Sequence, residues 1–347
     1  MRATSAGTWL VRLDHPQLSL RLHRRSIWVG LAIGLLVLVA GVATLSTGTS
    51  DTPLADVLAA LVGSGDARTN MLVIEWRLPR LLFATVCGAA LGLSGAVFQS
   101  LTRNPLGSPD VIGFSAGSYF GALVVMLLFG SLRYWEVATG ALLGGIATAI
   151  VVYALSYRGG VHGFRLIIMG IGVTAVIGSF NSYLLLTSAL PDAMVAASWG
   201  AGSLSGLAFD QFWPMLIVFV VLVPLAIALG PSLRQLELGD DTARALGLRA
   251  EPARLAAIVI GVALIALVTA AAGPIAFIAL AAPQVAKRLT KTSGIGLLPA
   301  ALTGALLLVV ADLIAIRIAL PVGVVTVSIG GGYLLWLLIR EFKGKAR

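Results

Sequence analysis

The sequence has few charged residues: Asp, Glu, Lys and Arg make up only 11% of its 347 residues. Ordinary globular domains carry about a quarter charged residues. Hydrophobic residues make up 58% of the chain, and the mean hydropathy is +0.98. This composition excludes an ordinary soluble domain and predicts an all-α polytopic membrane protein in contact with lipid.

Cysteine and histidine are also scarce. Cys87 is the single cysteine, so the chain cannot form an intrachain disulfide, and we expect Cys87 to be a small apolar packing residue within a helix. The three histidines, two of them near the N-terminus, are not arranged as a metal site. The sequence therefore predicts neither a metal centre nor a cofactor bound by this chain.

The chain lacks the loop that holds nucleotide phosphates in most ATPases. No segment fits the pattern GxxxxGK[ST], and the one Gly-Lys pair, Gly344–Lys345, is followed by Ala346. We therefore expect that the chain does not hydrolyse ATP by itself and is not an enzyme.

Charges are almost absent from the middle of the apolar runs. Asp110 and Asp312 lie near the ends of predicted helices, and no Glu, Lys or Arg falls mid-span. Ion-coupled carriers usually need an intramembrane carboxylate or cation. This pattern disfavours a secondary transporter, although sodium sites built from carbonyl and hydroxyl oxygens remain open.

Long apolar runs are what the sequence has in quantity. About twenty apolar residues suffice to cross a bilayer as a helix. On that criterion we predict ten transmembrane helices in one domain, 27–339. Their approximate bounds are 27–47, 80–101, 111–130, 137–156, 164–188, 211–230, 254–272, 275–289, 297–316 and 320–339.

The placement of basic residues predicts the orientation of these helices. With both termini cytoplasmic, 19 of the 24 basic residues fall on the inner side, which is the positive-inside pattern. The net charge of +9 is therefore attributed to membrane topology and not to nucleic-acid binding. Residues 1–26 are predicted to be a basic cytoplasmic segment, and residues 340–347 a cytoplasmic tail.

The stretch Arg77–Gly117 combines a crossing, a tight turn and a return into the membrane. Its small residues recur every fourth position, which places them on one helix face where another helix can approach closely. An inward crossing, a polar turn and a glycine-faced return are typical of transporters. The glycines concerned are Gly88 and Gly92, and then Gly113, Gly117 and Gly121.

The longest polar insertion on the predicted inner side is LELGDDTARALGLRAEPARL, residues 236–255. Gly239 and Gly247 are placed to bound a short helix. A short helix that presents Ala243 and Leu246 outside the membrane either docks onto another protein or is a solvated connector. The residues alone do not decide between the two.

Four stretches of the sequence carry a family resemblance: RLPRLLFATVCGAALGLSGAVFQSLTRNPLGSPDVIGFSAG, LGDDTARALGL, AGPIAFIALAAPQVAKRLT and ADLIAIRIALPVGVVTVSIGGGYLLWLLIRE. Together they resemble the FecCD family, the membrane subunits of ATP-binding-cassette importers of ferric siderophores, haem and cobalamin. The resemblance implies the type II importer permease fold: a dimer of ten-helix subunits, with helices two to five and seven to ten as related halves of opposite orientation.

The resemblance also implies partners and a location. A second permease subunit, identical or homologous, would complete the translocation path. Two cytoplasmic ATPase subunits would carry ATP and magnesium, and an extracytoplasmic siderophore-binding protein would deliver the substrate. The location implied is the bacterial cytoplasmic membrane.

Three groups of residues receive roles from the resemblance. The cytoplasmic loop 231–254 is implied to couple to the ATPase, so docking is favoured there over the connector. The residues are Leu238, Gly239, Asp240, Thr242, Ala243, Leu246 and Gly247 for coupling, Arg77, Arg80 and Arg317 for docking of the binding protein, and Ser179, Asn181 and Ser182 for the translocation path.

Each of the last two groups has a simpler alternative. Arg77 and Arg80 could merely anchor a helix end at the lipid headgroups. The polar residues of the fifth helix could instead bond between helices. Arg317 stands one residue beyond the position at which the family often has an outer arginine, and Ile316 occupies that position here.

The expected cargo is a bulky chelate. A path without charged side chains suits an intact ferric siderophore, with specificity resting in the binding protein. The sequences APQ and GGGYLLWLLIRE resemble ferric siderophore permeases more than cobalamin permeases. A cobalamin or haem importer of the same architecture is the alternative.

Overall fold

The apolar runs fold as helices because lipid offers no hydrogen-bond partner, so each backbone group must be satisfied within the chain. The computed structural model describes residues 2–3, 8–13, 18–48, 51–157, 163–292 and 294–345. Within those ranges the helices are α1 (Arg24–Ser46), α2 (Leu54–Leu61), α3 (Ala67–Asn70), α4 (Leu78–Thr102), α5 (Pro109–Ile112), α6 (Phe114–Leu123), α7 (Tyr134–Ser156), α8 (Gly163–Thr187), α9 (Leu190–Gly200), α10 (Phe209–Ala228), α11 (Gly230–Glu237), α12 (Asp240–Ala245), α13 (Ala250–Ala272), α14 (Ile278–Thr290), α15 (Leu297–Ile318) and α16 (Val322–Lys345).

Each predicted crossing overlaps helical residues, but the crossing predicted at 111–130 is divided among α5, α6 and the π-helical residues Val124–Leu128. In the described part of the chain, seven helices are long and apolar enough to span a membrane, and the residues Met71–Arg77 form a π-helical link that makes Ala67–Thr102 continuous. The segments Phe114–Leu128 and Val322–Tyr333 are apolar but shorter. The count of ten crossings and the cytoplasmic location of both termini therefore stay predictions.

The N-terminal segment adds a feature that the sequence analysis did not anticipate. Three short antiparallel strands, β1 (Arg2–Ala3), β2 (Thr8–Leu13) and β3 (Leu18–His23), precede α1, with Thr8 opposite His23. The prediction of an all-α chain thus holds for the helical bundle and not for the described residues that precede α1. Residues 1, 4–7 and 14–17 of that segment, and residues 346–347 of the predicted tail, lie outside the described residues.

Helix α4 lies at the centre of the bundle, where α13, α14 and α15 pack around it. Every residue from Ala90 to Thr102 is buried. Cys87 is fully buried, which confirms its expected role as a small packing residue. A helix enclosed in this way has little freedom to move independently of its neighbours, because protein interiors are close-packed.

The close approach of helices at glycine is confirmed on α4. A methyl group built on Gly88 would overlap the carbonyl of Gly304 on α15, and one on Gly92 would overlap the carbonyl of Ala300. The two backbones are therefore in direct contact, as small residues permit in lipid. The later glycines of the same stretch, Gly117 and Gly121, are in equivalent close contact with α7.

A left-handed residue immediately precedes α6, and another immediately precedes α14. Gly113, with φ of +95°, precedes α6, and Phe277, with φ of +69°, precedes α14. The Phe277 side chain occupies the space that a Cβ on Gly330 of α16 would need. This parallel between the α4–α6 and α13–α14 segments is consistent with the two related halves that the resemblance implies.

Candidate functional site

The predicted cytoplasmic end of the bundle carries the short helix that the glycine spacing indicated. Gly239 (φ +106°) separates α11 from α12, and Gly247 (φ +85°) follows it. Both positions need glycine because side chains are disfavoured at positive φ. The N–H of Gly247 donates to the carbonyl of Arg244 at 2.9 Å and ends the helix. The segment 237–247 thus has a fixed turn at each end of α12.

The orientation of α12 differs from the one expected. Leu238 and Leu246 are 63% and 58% exposed, and Thr242 is exposed too. Ala243 is fully buried, so the expectation that it faces outward with Leu246 is wrong. Its methyl group packs into the bundle because a six-residue helix needs one face against the protein. The outward surface consists of Leu238, Thr242 and Leu246.

Charged side chains surround α12 where it meets the long helices. Asp240 forms ion pairs with Arg254 of α13 and, at 3.3 Å, with Arg103 at the end of α4. Arg254 also donates to Glu251 at 2.7 Å. Asp240 is among the residues predicted to couple to the ATPase, whereas neither Arg103 nor Arg254 was predicted to contribute. The signal that could have found Arg254 is a lone basic residue near the predicted start of an apolar helix.

The opposite end of α4 carries the predicted docking arginines. Arg80 donates three hydrogen bonds of 2.8–3.1 Å to the carboxylate of Asp312 on α15. The side chain of Asp312 is completely buried. A fourth hydrogen bond, at 3.2 Å, joins Arg80 to the hydroxyl of Ser205. This bidentate geometry is the strong form of an arginine–carboxylate pair. The pair ties α4 to α15 and neutralises the one acidic residue that α15 buries.

Arg77 and Arg317 lie at the same end in different environments. Arg77 is half-buried and donates to the carbonyl of Leu45 at 2.7 Å and to Thr52 at 3.0 Å. Arg317 is exposed, and its contacts to Asp51 and Thr47 are both 3.4 Å long. Exposed pairs of this kind contribute about 0–1 kcal/mol. The three arginines therefore share one end of the bundle but differ in how firmly each is held.

A cavity of about 810 Å³ opens at this end, with Arg77 and Arg80 in its wall. Its lining is mixed, with two basic groups, one acidic group and several backbone and hydroxyl groups. Residues from four chain segments contribute to it. They are Thr47, Gly48, Glu75, Trp76, Ser203, Leu204, Ser205, Gly206, Leu207, Ala208, Ala315, Ile316, Ala319, Leu320 and Pro321.

The polar residues of α8 do not form one surface. Ser179 and Ser182 are exposed, and their hydroxyls donate to the carbonyls of Ala175 and Gly178 in the same helix. Asn181 is buried, and its amide donates to the carbonyl of Ala116 on α6 at 3.4 Å. Asn181 therefore makes the interhelical contact that was the alternative reading. The two serines lie on a face that this chain leaves uncovered.

The amino-acid sequence matches the profile of the FecCD transport family over residues 35–340. The chain belongs to the FecCD transport family. Among FecCD relatives, the ferric enterobactin transport system permease protein FepG of Escherichia coli is 49% identical over 311 residues, which are 88% of this chain and 94% of FepG.

Two further FecCD relatives and one solved structure support the assignment. The achromobactin transport system permease protein CbrC of Dickeya dadantii is 33% identical over 90% of this chain and 91% of its own. The iron(3+)-hydroxamate import system permease protein FhuG of Bacillus subtilis is 33% identical over 88% and 95%. A solved structure described as a metal-chelate type ABC transporter in an inward-facing conformation superimposes with a TM-score of 0.79, at 25% identity, covering 90% of this chain and 99% of its own.

The Arg80–Asp312 pair leads to a stability prediction. Arg80→Gln leaves the buried Asp312 carboxylate without its charged partner, so we expect it to destabilise the chain by about 3 kcal/mol. Arg317→Gln is the matched control, because it removes the same charge from an exposed pair. Thermal unfolding in detergent measures both variants. Equal melting temperatures for the two variants would contradict a structural role for the Arg80 pair.

Proposed function

We propose that this chain is the membrane permease subunit of an ATP-binding-cassette importer that moves an intact ferric siderophore across the bacterial cytoplasmic membrane. The observation that carries the proposal is the similarity to FepG, a ferric enterobactin permease, along almost the whole of both chains. FhuG, which by name imports an iron(3+)-hydroxamate, supports the same class of cargo, and CbrC by name serves achromobactin. The similarity to a metal-chelate type transporter extends this to the fold.

The chemistry of the uncovered face of α8 suits such a cargo. Ser179 and Ser182 are exposed, uncharged and already hydrogen-bonded within their own helix. A surface of this kind offers no fixed charge to trap a large anionic or neutral chelate, so the chelate can pass without losing its metal. The proposed second permease subunit places its own α8 opposite this face, and the path lies between the two. Specificity then resides in the proposed extracytoplasmic binding protein.

Energy comes, in this proposal, from separate ATPase subunits that hold ATP and magnesium. The exposed side chains of Leu238, Thr242 and Leu246 would form the contact with the ATPase. Such a contact would remove the two leucine side chains from water, which a solvated connector would not do. The chain itself contributes no nucleotide site to this scheme.

Uptake of iron-labelled siderophore in cells with and without this gene tests the function. Deletion is expected to abolish uptake, and the restored gene to return it, with excess cobalamin having no effect. Iron uptake that is unchanged by deletion would contradict the siderophore proposal. Cobalamin uptake that is lost instead would assign the same architecture to the alternative cargo.

Docking of the binding protein is proposed at the end of the bundle that carries Arg77, Arg80 and Arg317. Arg80 is held by Asp312, and Arg77 is held by the α1–α2 segment. The positions of both side chains are therefore fixed by contacts within this chain. Arg317, which is 58% exposed in its pair with Asp51, is the best placed to exchange its carboxylate for one on a partner. The electrostatic attraction sets the orientation of the encounter.

Arg317→Glu is therefore expected to weaken binding of the loaded binding protein roughly tenfold, because it juxtaposes like charges at the contact. The matched control is Arg133→Glu, which reverses a charge that is 84% exposed and paired only within its own helix turn with Glu136 among the described contacts. Titration of the binding protein against the permease in nanodiscs measures both. Unchanged affinity for the Arg317 variant would remove this residue from the docking surface.

Leu246→Asp tests the coupling surface. Since Leu246 is exposed, the change leaves the fold intact, but it places an unpaired carboxylate in an apolar contact at a cost of several kcal/mol. The ATPase is expected to be lost from the purified complex. Leu289→Asp, at a partly exposed leucine on α14 at the same end, is the control. Stoichiometric recovery of the ATPase with the Leu246 variant would rule out this surface.

A further inference from the structure

Helix α12 is attached to the bundle with little apolar packing of its own. Ala243 is its one buried residue, and burial of a methyl group contributes only about 0.8 kcal/mol. The leucines at its two ends, Leu238 and Leu246, point outward. Hydrophobic burial therefore does not fix the position of this helix. Polar and ionic contacts therefore contribute most to holding α12 in place.

Two polar contacts join the segment 237–247, which contains α12, to the end of α4 and the residue that follows it. The hydroxyl of Ser100 donates to Glu237 at 2.7 Å, and the guanidinium of Arg103 donates to Asp240 at 3.3 Å. The two residues at the end of α4 are three apart, and so are the two on the segment 237–247. One contact is therefore made on each side of Gly239, and both are made to the same end of α4. Two attachment points fix both the position and the direction of the segment.

A third contact joins the same segment to α13. The Arg254 side chain is only 5% exposed and lies between the carboxylates of Asp240 and Glu251. A shielded pair is screened by salt much less than a surface pair. Removing one partner from such a pair leaves a buried charge uncompensated, which is far more destabilising than losing an exposed pair.

We propose that Ser100, Arg103, Glu237, Asp240 and Arg254 form a polar joint that makes α12 move as one body with α4 and α13. This inference rests on the proposed function, because it gives the joint the task of passing ATPase motion into the membrane. Arg254 and Ser100 are positioning residues in this scheme, since they act through α12 and touch neither nucleotide nor cargo.

The joint explains how a short surface helix can act at the far side of the membrane. Helix α4 begins at the Arg80–Asp312 pair and ends at the joint, and it is enclosed along its length. A push on α12 therefore reaches α4 at its end and is carried along a rigid element to the arginine-bearing end. Packed side chains, ion pairs and rigid helices can carry energetic coupling between distant sites, and direct measurement of that coupling is its test.

Arg254→Gln in the purified complex tests the joint. In proteoliposomes that contain permease, ATPase and binding protein, ferric siderophore moved per ATP hydrolysed is expected to fall about tenfold, as the loss of one charged hydrogen bond would produce. Arg254→Lys keeps the charge and is expected to recover part of that ratio. Arg234→Gln removes an arginine from an exposed position of α11 and is the matched control. A ratio for Arg254→Gln equal to that of the control would overturn the proposal.

A second arm uses milder variants, which keeps the test decisive if Arg254→Gln does not assemble. Ser100→Ala removes the donor and Glu237→Ala removes the acceptor of the same contact. If the two residues act as a unit, the double variant lowers the transport ratio no more than either single variant does. Fully additive losses would contradict the joint.

The outcomes separate this inference from the proposed function. If no ATPase co-purifies with the unaltered chain, the proposed function fails. If the ATPase co-purifies, unaltered transport is normal and the joint variants match the control, only the joint fails. A selective fall in the ratio, with the ATPase still bound, supports both.

Discussion

The direct backbone contact between α4 and α15 is the constraint on which the rest of the bundle depends. Gly88 and Gly92 meet the carbonyls of Gly304 and Ala300 with no side chain between them. In lipid, helices gain nothing from hiding apolar surface from each other, so association depends on close packing of this kind. The contact fixes the height of α15 relative to α4. That height is what brings Asp312 level with Arg80.

The ion pairs made by α4 and the residue that follows it lie at its two ends. At one end Arg80 neutralises a buried carboxylate, and at the other Asp240 lies between two arginines. The long apolar stretch between the ends carries hydroxyl and amide groups instead, such as Ser94 bonded to the carbonyl of Gly261. This division gives α4 an uncharged centre and two charged ends.

The sequence predicted the parts of this fold that depend on local pattern. Apolar runs located the helices, and Gly239 and Gly247 bounded α12, because chain length in lipid and positive φ are local requirements. The pairing of Arg80 with Asp312 joins residues 232 positions apart and depends on how two helices pack, which no local pattern encodes. The burial of Ala243 was not predicted for a related reason, because a helix of six residues has too few positions to show which side is apolar. The strands before α1 were missed because the basic residues there were interpreted only as a topology signal.

Phe277 links the backbone conformation of the segment before α14 to the position of α16. A left-handed conformation costs a residue with a side chain about 1–2 kcal/mol relative to the ordinary helical region. Packing of the ring on the bare backbone at Gly330 offsets that cost. A displacement of α16 by the width of one methylene group would break the contact and remove the compensation. The left-handed conformation of Phe277 therefore depends on α16, and the φ angle of Phe277 is linked to the position of that helix.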